Sequence, residues 1–441
     1  MGDALLTDLY GINMAISYLR RAMGGLATFS LFVRQLPPQR GYLVAAGVDD
    51  CLAHLERFAF DPSDLAYLSS LGYPDDALSL LGDVRFTGDV WAVPEGSVVL
   101  ADEPLLEVTA PIAEGQLVET YLLNRVSSSV TLATKASRCV DAAAGRLDLI
   151  EFGFRRAQGV DAAITAARLA VMVGFVGTSN VEAARRFGLH PSGTMAHSYV
   201  EAFSDEVEAF TAFAGDIGGP VTFLVDTYDT AGGVRRAIEV IERLGLGETA
   251  GVRLDSGDLV ALSRQSRRAL DDAGLAEVRI FVSGGLDEYR IADLVAAGAP
   301  IDAAGVGTRA TVSADAPYVD SAFKLVEYDG RPVVKLSEGK RTLPGPKQVF
   351  RRRGARDIIA CRDETAPGDG RPLLQPVMRG GRRTSPADDL ETCRRRLRAE
   401  LAALPAEALA IRDPHPPVAE HSTRLRRLTD EVYRAAERTA G

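Results

Sequence analysis

The sequence predicts an α/β fold approaching a (β/α) barrel, with a segment of different character on either side. Two observations predict it. From Leu147 onward, short apolar runs alternate with helix-length periodic segments, and about seven such units follow one another. Each predicted strand is followed by a polar loop, and most of these loops contain glycine. That alternation favours parallel strands joined by helical crossovers.

Taken in order, residues 1–80 read as helices separated by turns. Across 83–110 the character changes. Val84-Arg85-Phe86, Val90–Val93, Ser97–Leu100 and Leu105–Val108 are β-prone runs broken at Gly88, Pro94-Glu95-Gly96 and Asp102-Glu103-Pro104. A long helix is expected from about Gly115 to Ala144. The expected barrel strands are Leu147–Phe152, Met172–Val176, Pro191–Met195, Val221–Val225, Gly251–Leu254, Val278–Val282 and Ala303–Val306. Helices Asp161–Ala170, Val181–Phe187, Val234–Leu244, Leu259–Ala273 and Tyr289–Ala297 fall between them. Lys324–Glu327, Pro332–Lys335 and Gln348–Arg351 are strand-like. Residues 353–380 read as a linker or mobile loop, and helices at about 386–403 and 418–438 close the chain. The expected domains are 1–145, 146–323 and a C-terminal segment, 324–441.

A chain of 441 residues with 46% hydrophobic content can bury a sizeable core. Its formal charge of −10 argues against a nucleic-acid surface, so the basic runs Arg351–Arg353 and Arg394–Arg396 are expected to be solvated faces. Cys51, Cys139, Cys361 and Cys393 lack metal-ligand spacing and are expected to be buried reduced thiols, suiting a reducing cytosol. The opening residues lack a signal-peptide pattern, and no apolar run is long enough to span a bilayer, so a cytoplasmic location is expected.

The chemistry-bearing residues fall in the post-strand loops, where barrel enzymes build their sites. In Ser192-Gly193-Thr194-Met195-Ala196-His197-Ser198, a histidine with small neighbours has room to act as base or nucleophile. The alternative is a turn in which Ser198 caps a helix and His197 is incidental. Ser283-Gly284-Gly285 and Gly305-Val306-Gly307-Thr308 suit a phosphate clamp, because glycine lets backbone N–H groups approach the oxygens. No G-x-x-x-x-G-K-[ST] loop is present. Arg155, Arg156 and Arg253 supply forked cations, while Asp255 and Asp258, flanking Ser256-Gly257, could hold ribose hydroxyls or a magnesium ion. These charges could equally pair with one another. The residues alone support an enzyme acting on a phosphorylated, anionic small molecule.

At these same residues the chain resembles the nicotinate phosphoribosyltransferases, a family of type II phosphoribosyltransferases. The resemblance runs from Leu5-Leu6-Thr7-Asp8-Leu9-Tyr10 through Phe152–Gly159, Gly177–Val181, Ser192–Ser198, Asp226–Thr230 and Arg253–Leu259 to Gly305–Thr308 and Lys335–Gly345. Gly11 stands where the family usually carries Gln, and Glu151 where Asp is more usual. The resemblance implies a barrel packed on an N-terminal α/β domain, in a homodimer with shared active sites. It implies conversion of nicotinate and phosphoribosyl pyrophosphate to nicotinate mononucleotide and pyrophosphate, coupled to ATP hydrolysis and assisted by Mg²⁺. Tyr10 would stack on the nicotinate ring from the neighbouring subunit, with Thr194 beside the ring. Arg253 and Arg155 would serve the anionic groups and Thr308 the 5-phosphate. His197 would be transiently phosphorylated. Asp255, Ser256, Gly284, Gly285 and Gly307 complete the expected substrate contacts. Competing readings are a nicotinamide phosphoribosyltransferase, a decarboxylating quinolinate enzyme and a non-catalytic barrel that senses a sugar phosphate.

Overall fold

The computed structural model describes residues 3–337, 342–352 and 356–440. Residues 338–341 of the Lys335–Gly345 stretch, Arg353 of the basic run and the first three residues of the 353–380 segment lie outside the described residues. The chain divides into two compact units, Met1–Thr131 with Tyr318–Gly441, and Leu132–Pro317. It is a mixed α/β fold whose parallel sheet forms a curled half-barrel.

In the unit 132–317 the sheet has six strands. Their spatial order is Gly177–Thr178, Asp148–Glu151, Ala303–Val306, Arg279–Val282, Ala250–Leu254 and Val221–Leu224, with every described pairing parallel. Helices Val181–Phe187, Thr230–Leu244, Leu259–Asp272 and Glu288–Ala296 form where the apolar periodicity places them. Each is started by a side chain at the end of a post-strand loop. Asn180, Asp229, Asp258 and Asp287 accept backbone N–H groups from Ala183, Gly232, Val260 with Ala261, and Arg290. These caps satisfy orphan donors and fix where each loop ends.

Two expected barrel strands are corrected. Met172 and Val173 belong to helix Val160–Val173, because the Ala-rich stretch sustains helical packing until Gly174, at φ +134°, ends it. Only Gly177–Thr178 remains as strand. Pro191–Met195 reduces to one parallel bridge, Thr178 with Pro191, flanked by hydrogen bonds from Thr178 N to His190 O and from Ser192 N to Thr178 O. Pro191 has no N–H to extend a ladder and Gly193 gives little to pack, so the segment leaves the sheet. The expected irregular (β/α) barrel is therefore an open sheet, with Gly177–Thr178 and Val221–Leu224 at its edges.

The other unit holds a seven-stranded sheet ordered Arg331–Pro332, Ser321–Tyr328, Leu26–Val33, Pro104–Pro111, Asp89–Ala92, Gln375–Arg379 and Arg382–Arg383. Leu26–Val33 corrects the helical reading of residues 1–80. It is paired on both edges, and even Thr28 and Ser30 are buried, so no in-out alternation marks it as a strand. Residues 356–380 are likewise no simple loop. They contribute strands Ile358–Cys361, Arg371–Pro372 and Gln375–Arg379, with Leu373, Leu374 and Met378 buried. Val84–Phe86 gives only one bridge, from Arg85 to Ala59. All four cysteines are buried and in no disulfide. Among the described residues, no helix is long and apolar enough to cross a membrane.

Candidate active site

The parallel register explains which loop residues meet. Arg253 pairs with Phe281 on one side and Leu224 on the other. Asp255, two residues further on, therefore lies level with Ser283 and Asp226 beyond those neighbouring strand ends. The structure joins all three. Ser283 Oγ donates to Asp255 Oδ1, Asp255 N donates to Asp226 Oδ2 at 3.1 Å, and Ser256 Oγ donates to the same Asp226 oxygen at 2.6 Å. The remaining Asp226 oxygen, Oδ1, is buried and has no hydrogen-bond partner. Burial pushes the Asp255 carboxyl up, but the bonds and charge of Ser283 and Arg253 outweigh it and hold the group below its usual range.

Arg253 is the hub. Its side chain is only 11% exposed. Nε donates to Ser283 Oγ at 2.8 Å, Nη1 to Thr194 Oγ1 at 2.5 Å and Met195 O at 3.1 Å, and Nη2 to Asp255 Oδ1 at 3.0 Å. Four of the five guanidinium N–H groups are thus committed, leaving one on Nη2. Arg253 organises three loops and presents a positive field, but it offers no open fork. The Phe152 ring lies 6.0 Å from its guanidinium carbon.

His197 opens the short helix His197–Glu201. Ala196 occupies the cap position, so Ser198 is not the N-cap. The imidazole places Nδ1 3.1 Å from Thr227 Oγ1 and Nε2 4.0 Å from Asp255 Oδ2, with 40% of the side chain exposed. If Nδ1 carries the proton and donates to Thr227, the Nε2 lone pair stays available.

The glycine loops lie on the same unit. Gly284 has φ +92°, and a Cβ there would sit 1.9 Å from Asp255 O, so only glycine fits. At Gly285 nothing lies within 4 Å of such an atom. The backbone N–H groups of Gly284, Gly285, Gly307 and Thr308 have no acceptor among the described residues, as a phosphate cradle requires. Arg309, next to Thr308, pairs with Asp287 at 2.8 Å, and Asp287 also caps helix Glu288–Ala296. Asp287 thereby ties the two glycine loops together. Glu151 braces a third loop, accepting from Gly153 N, Thr178 Oγ1 and Thr311 Oγ1. Arg155 lies in the single turn Phe154–Arg156, exposed and in no ion pair among the described residues. Asp258 is committed as the helix cap, its Oδ1 taking two N–H groups. Among the described residues no group of three or more His, Cys, Asp or Glu forms a metal site.

Family models cover nearly the whole chain. Residues 5–127 match the nicotinate phosphoribosyltransferase N-terminal domain, 147–345 the nicotinate phosphoribosyltransferase family, and 357–429 the C-terminal domain. The nicotinate phosphoribosyltransferase pncB2 of Mycobacterium tuberculosis is 49% identical over 93% of this chain and 89% of its own. The chain belongs to the nicotinate phosphoribosyltransferase family. The Bacillus subtilis nicotinate phosphoribosyltransferase is 43% identical over 79% of this chain and 73% of its own. The crystal structure of human nicotinic acid phosphoribosyltransferase superposes with a TM-score of 0.86 at 29% identity, covering 97% of this chain and 99% of the human one. That of a Pyrococcus furiosus nicotinate-nucleotide pyrophosphorylase gives 0.75 at 27%, covering 91% and 95%.

Within this family member, Thr194, His197, Arg253, Asp255 and Ser256 share one bonded cluster with Asp226, Thr227 and Ser283. Asp226 and Thr227 carry no role in the sequence reading, and Ser283 enters it only as part of a glycine loop; the register of adjacent parallel strands is the signal that brings the three together. Tyr10 lies in the other unit, on helix Leu9–Arg20, and is 47% exposed. Burial, then Glu119, pushes its phenol up to about 12.

Proposed function

We propose that the chain is a nicotinate phosphoribosyltransferase, forming nicotinate mononucleotide and pyrophosphate from nicotinate and phosphoribosyl pyrophosphate. The observation that carries this reading is the Arg253 cluster, beside four unpartnered backbone N–H groups, in a chain of this family. The nicotinate ring nitrogen would attack the ribose C1 as the bond from C1 to the pyrophosphate oxygen breaks. Charge develops on the leaving pyrophosphate, and the Arg253 field with the Gly284, Gly285, Gly307 and Thr308 N–H groups is suited to hold phosphate oxygens there. Arg155 offers the open fork that Arg253 lacks. Thr194, fixed by Arg253, would flank the pyridine ring, and Ser256 is placed for ribose hydroxyls.

His197 fits the role of phosphoryl acceptor. Its Nε2 would form a bond to the ATP γ-phosphorus as the bond to the ADP oxygen breaks, and water would later release phosphate. Thr227 would hold Nδ1, and Asp255 would steady the positive charge that develops on the ring. Mg²⁺ would arrive with the phosphates. The pair Asp226 and Asp255 suits an ion that needs only one or two carboxylates, and the unpartnered Asp226 Oδ1 supports that fit. When bound, the ion would neutralise phosphate charge. We further propose a cytoplasmic homodimer in NAD biosynthesis, with Tyr10 of one subunit serving the site of the other.

The test is a rate assay with nicotinate, phosphoribosyl pyrophosphate and Mg²⁺, with and without ATP, repeated with nicotinamide. Mononucleotide formation from nicotinate, faster with ATP, is expected. Equal turnover of the amide would refute the nicotinate reading, and the absence of product would support the non-catalytic binding alternative.

A further inference from the structure

A cleft of about 940 Å³ contains no residue of the His197 cluster. It belongs wholly to the unit 1–131 with 318–441, and four arginines line it: Arg351, Arg352, Arg356 and Arg371. Their charges are not equally committed. Arg351 has four of its five N–H groups committed, Nε and Nη2 on Asp357 at 3.0 and 2.7 Å, and Nη1 on Glu400 at 2.5 Å and Val98 O at 2.9 Å. Arg371 reaches Glu400 at 2.6 Å but stays 52% exposed. Arg356 is 65% exposed and only 3.9 Å from Glu420.

Arg352 differs from the rest. Nε and Nη2 both donate to Arg356 O, at 3.1 and 3.0 Å, and it forms no ion pair among the described residues, although the carboxylate of Asp369 also lines the cleft. Those two bonds fix the plane of the guanidinium and leave three N–H groups unused. A fixed, uncompensated fork is the arrangement that recognises phosphate oxygens. Arg371 can add to it, because Glu400 would retain Arg351 and the Val98 N–H at 2.6 Å if Arg371 turned toward a ligand. The nearby carboxyl of Glu103 does not cancel this charge. Burial, then Asp357, pushes it up to about 8, so it is largely protonated at neutral pH. The other wall is apolar, from Leu100, Ala399, Ala403, Leu404, Pro405 and Pro417. The volume lies at the upper end of small-molecule sites, roughly 300–1,000 Å³.

We propose that this cleft is a second ligand site, taking an organic phosphate of nucleotide size with its phosphate on Arg352 and Arg371. Its heterocycle lies against the Leu404–Pro405 wall. The site is independent of the transferase reading, since the two share no residue.

Equilibrium dialysis of adenosine 5′-monophosphate against the full chain tests it. A His197→Ala/Arg253→Gln background removes the first cluster, so failure here leaves the transferase reading untouched. Saturable binding of one equivalent is expected, weakened about tenfold or more by Arg352→Glu and in the same direction by Arg371→Gln. Among the described residues Arg352 bonds only to the Arg356 carbonyl, so its variant should keep the wild-type melting temperature; should it not, Arg371→Gln decides alone. Absence of saturable binding, binding indifferent to these arginines, or equally tight binding of inorganic phosphate would each overturn the proposal.

Discussion

Arg253→Lys keeps the positive charge but removes the planar fork that ties Thr194, Met195, Asp255 and Ser283 together. An ammonium on a flexible stem is one point, so it cannot sit beside acceptors on three loops at once. The contact with Asp255 at 3.0 Å is the one it would keep. The bonds to Ser283, Thr194 and Met195 O are then lost, and each is worth about 1 kcal/mol net. With only 11% of the side chain exposed, water cannot readily take their place. The sum is about 3 kcal/mol, and if the cluster is preformed for the transition state, kcat/KM falls about a hundredfold. Steady-state rates with nicotinate and phosphoribosyl pyrophosphate, alongside thermal melting, separate this from unfolding. A variant within about threefold of wild type at unchanged Tm would refute the organising role. Thr194→Val sharpens the test. Combined with Arg253→Lys, it should cost less than the two single losses added, because both remove the same bond.

Incubation with ATP should leave an acid-labile phosphate on the protein, absent in His197→Ala; retained label would move the acceptor elsewhere. Mixing inactive Tyr10→Ala and Arg253→Ala chains should restore part of the activity if sites are shared, and no recovery despite subunit exchange would remove that case. Gly284→Ala should destabilise by about 2–4 kcal/mol in denaturant titration, from its φ of +92° and the clash with Asp255 O. Gly285→Ala, strained at φ +65° but free of contacts, should cost only about 1 kcal/mol. For Glu103, whose folded carboxyl lies near 8 against an ordinary 4.5, the folded state holds its proton more tightly than the unfolded chain. That contribution is complete below about 4.5 and lost as pH rises through about 8. Glu103→Gln should therefore lose less Tm than wild type between those values, and parallel Tm curves would contradict it.

The helices were legible in the sequence because each has a cap and an apolar stripe. Asn180 opens Val181–Phe187 where periodicity places it, and Asp258 does the same for Leu259–Asp272. Strands were harder where burial is two-sided or length minimal. Leu26–Val33 lacks alternation because both its faces are covered, and Arg371–Pro372 is too short to carry a pattern. The failed strand at Pro191 shows the opposite error, a β-prone run whose proline cannot complete a ladder. At the candidate site, residue types and loop positions could be read from the chain, but partners could not. Nothing in the order of residues says that Asp258 is used up as a cap while Asp255 is gathered into the cluster. That choice follows from register, which sets Asp255 level with Ser283 and Asp226.

The cations of the site divide their labour by how many donors each has left. A free guanidinium could grip a carboxylate or phosphate through two parallel bonds, but Arg253 has spent four of its five donors on its own loops. Its contribution to an anionic ligand is therefore a fixed field and at most one N–H, with no reorganisation needed when charge develops. In the proposed reading, directional grip would fall to groups that are still open among the described residues: the Arg155 fork and the backbone donors of Gly284, Gly285, Gly307 and Thr308. Backbone donors cannot rotate away, and Gly284 is held in place by its approach to Asp255 O. Arg253, Asp255 and Ser283 then act as the brace that keeps the glycine loop and the His197 segment in one frame. If the glycine loops hold phosphate as proposed, the histidine and that cradle would be coupled through Asp255, which lies 4.0 Å from the His197 ring and accepts from the serine that precedes the glycines.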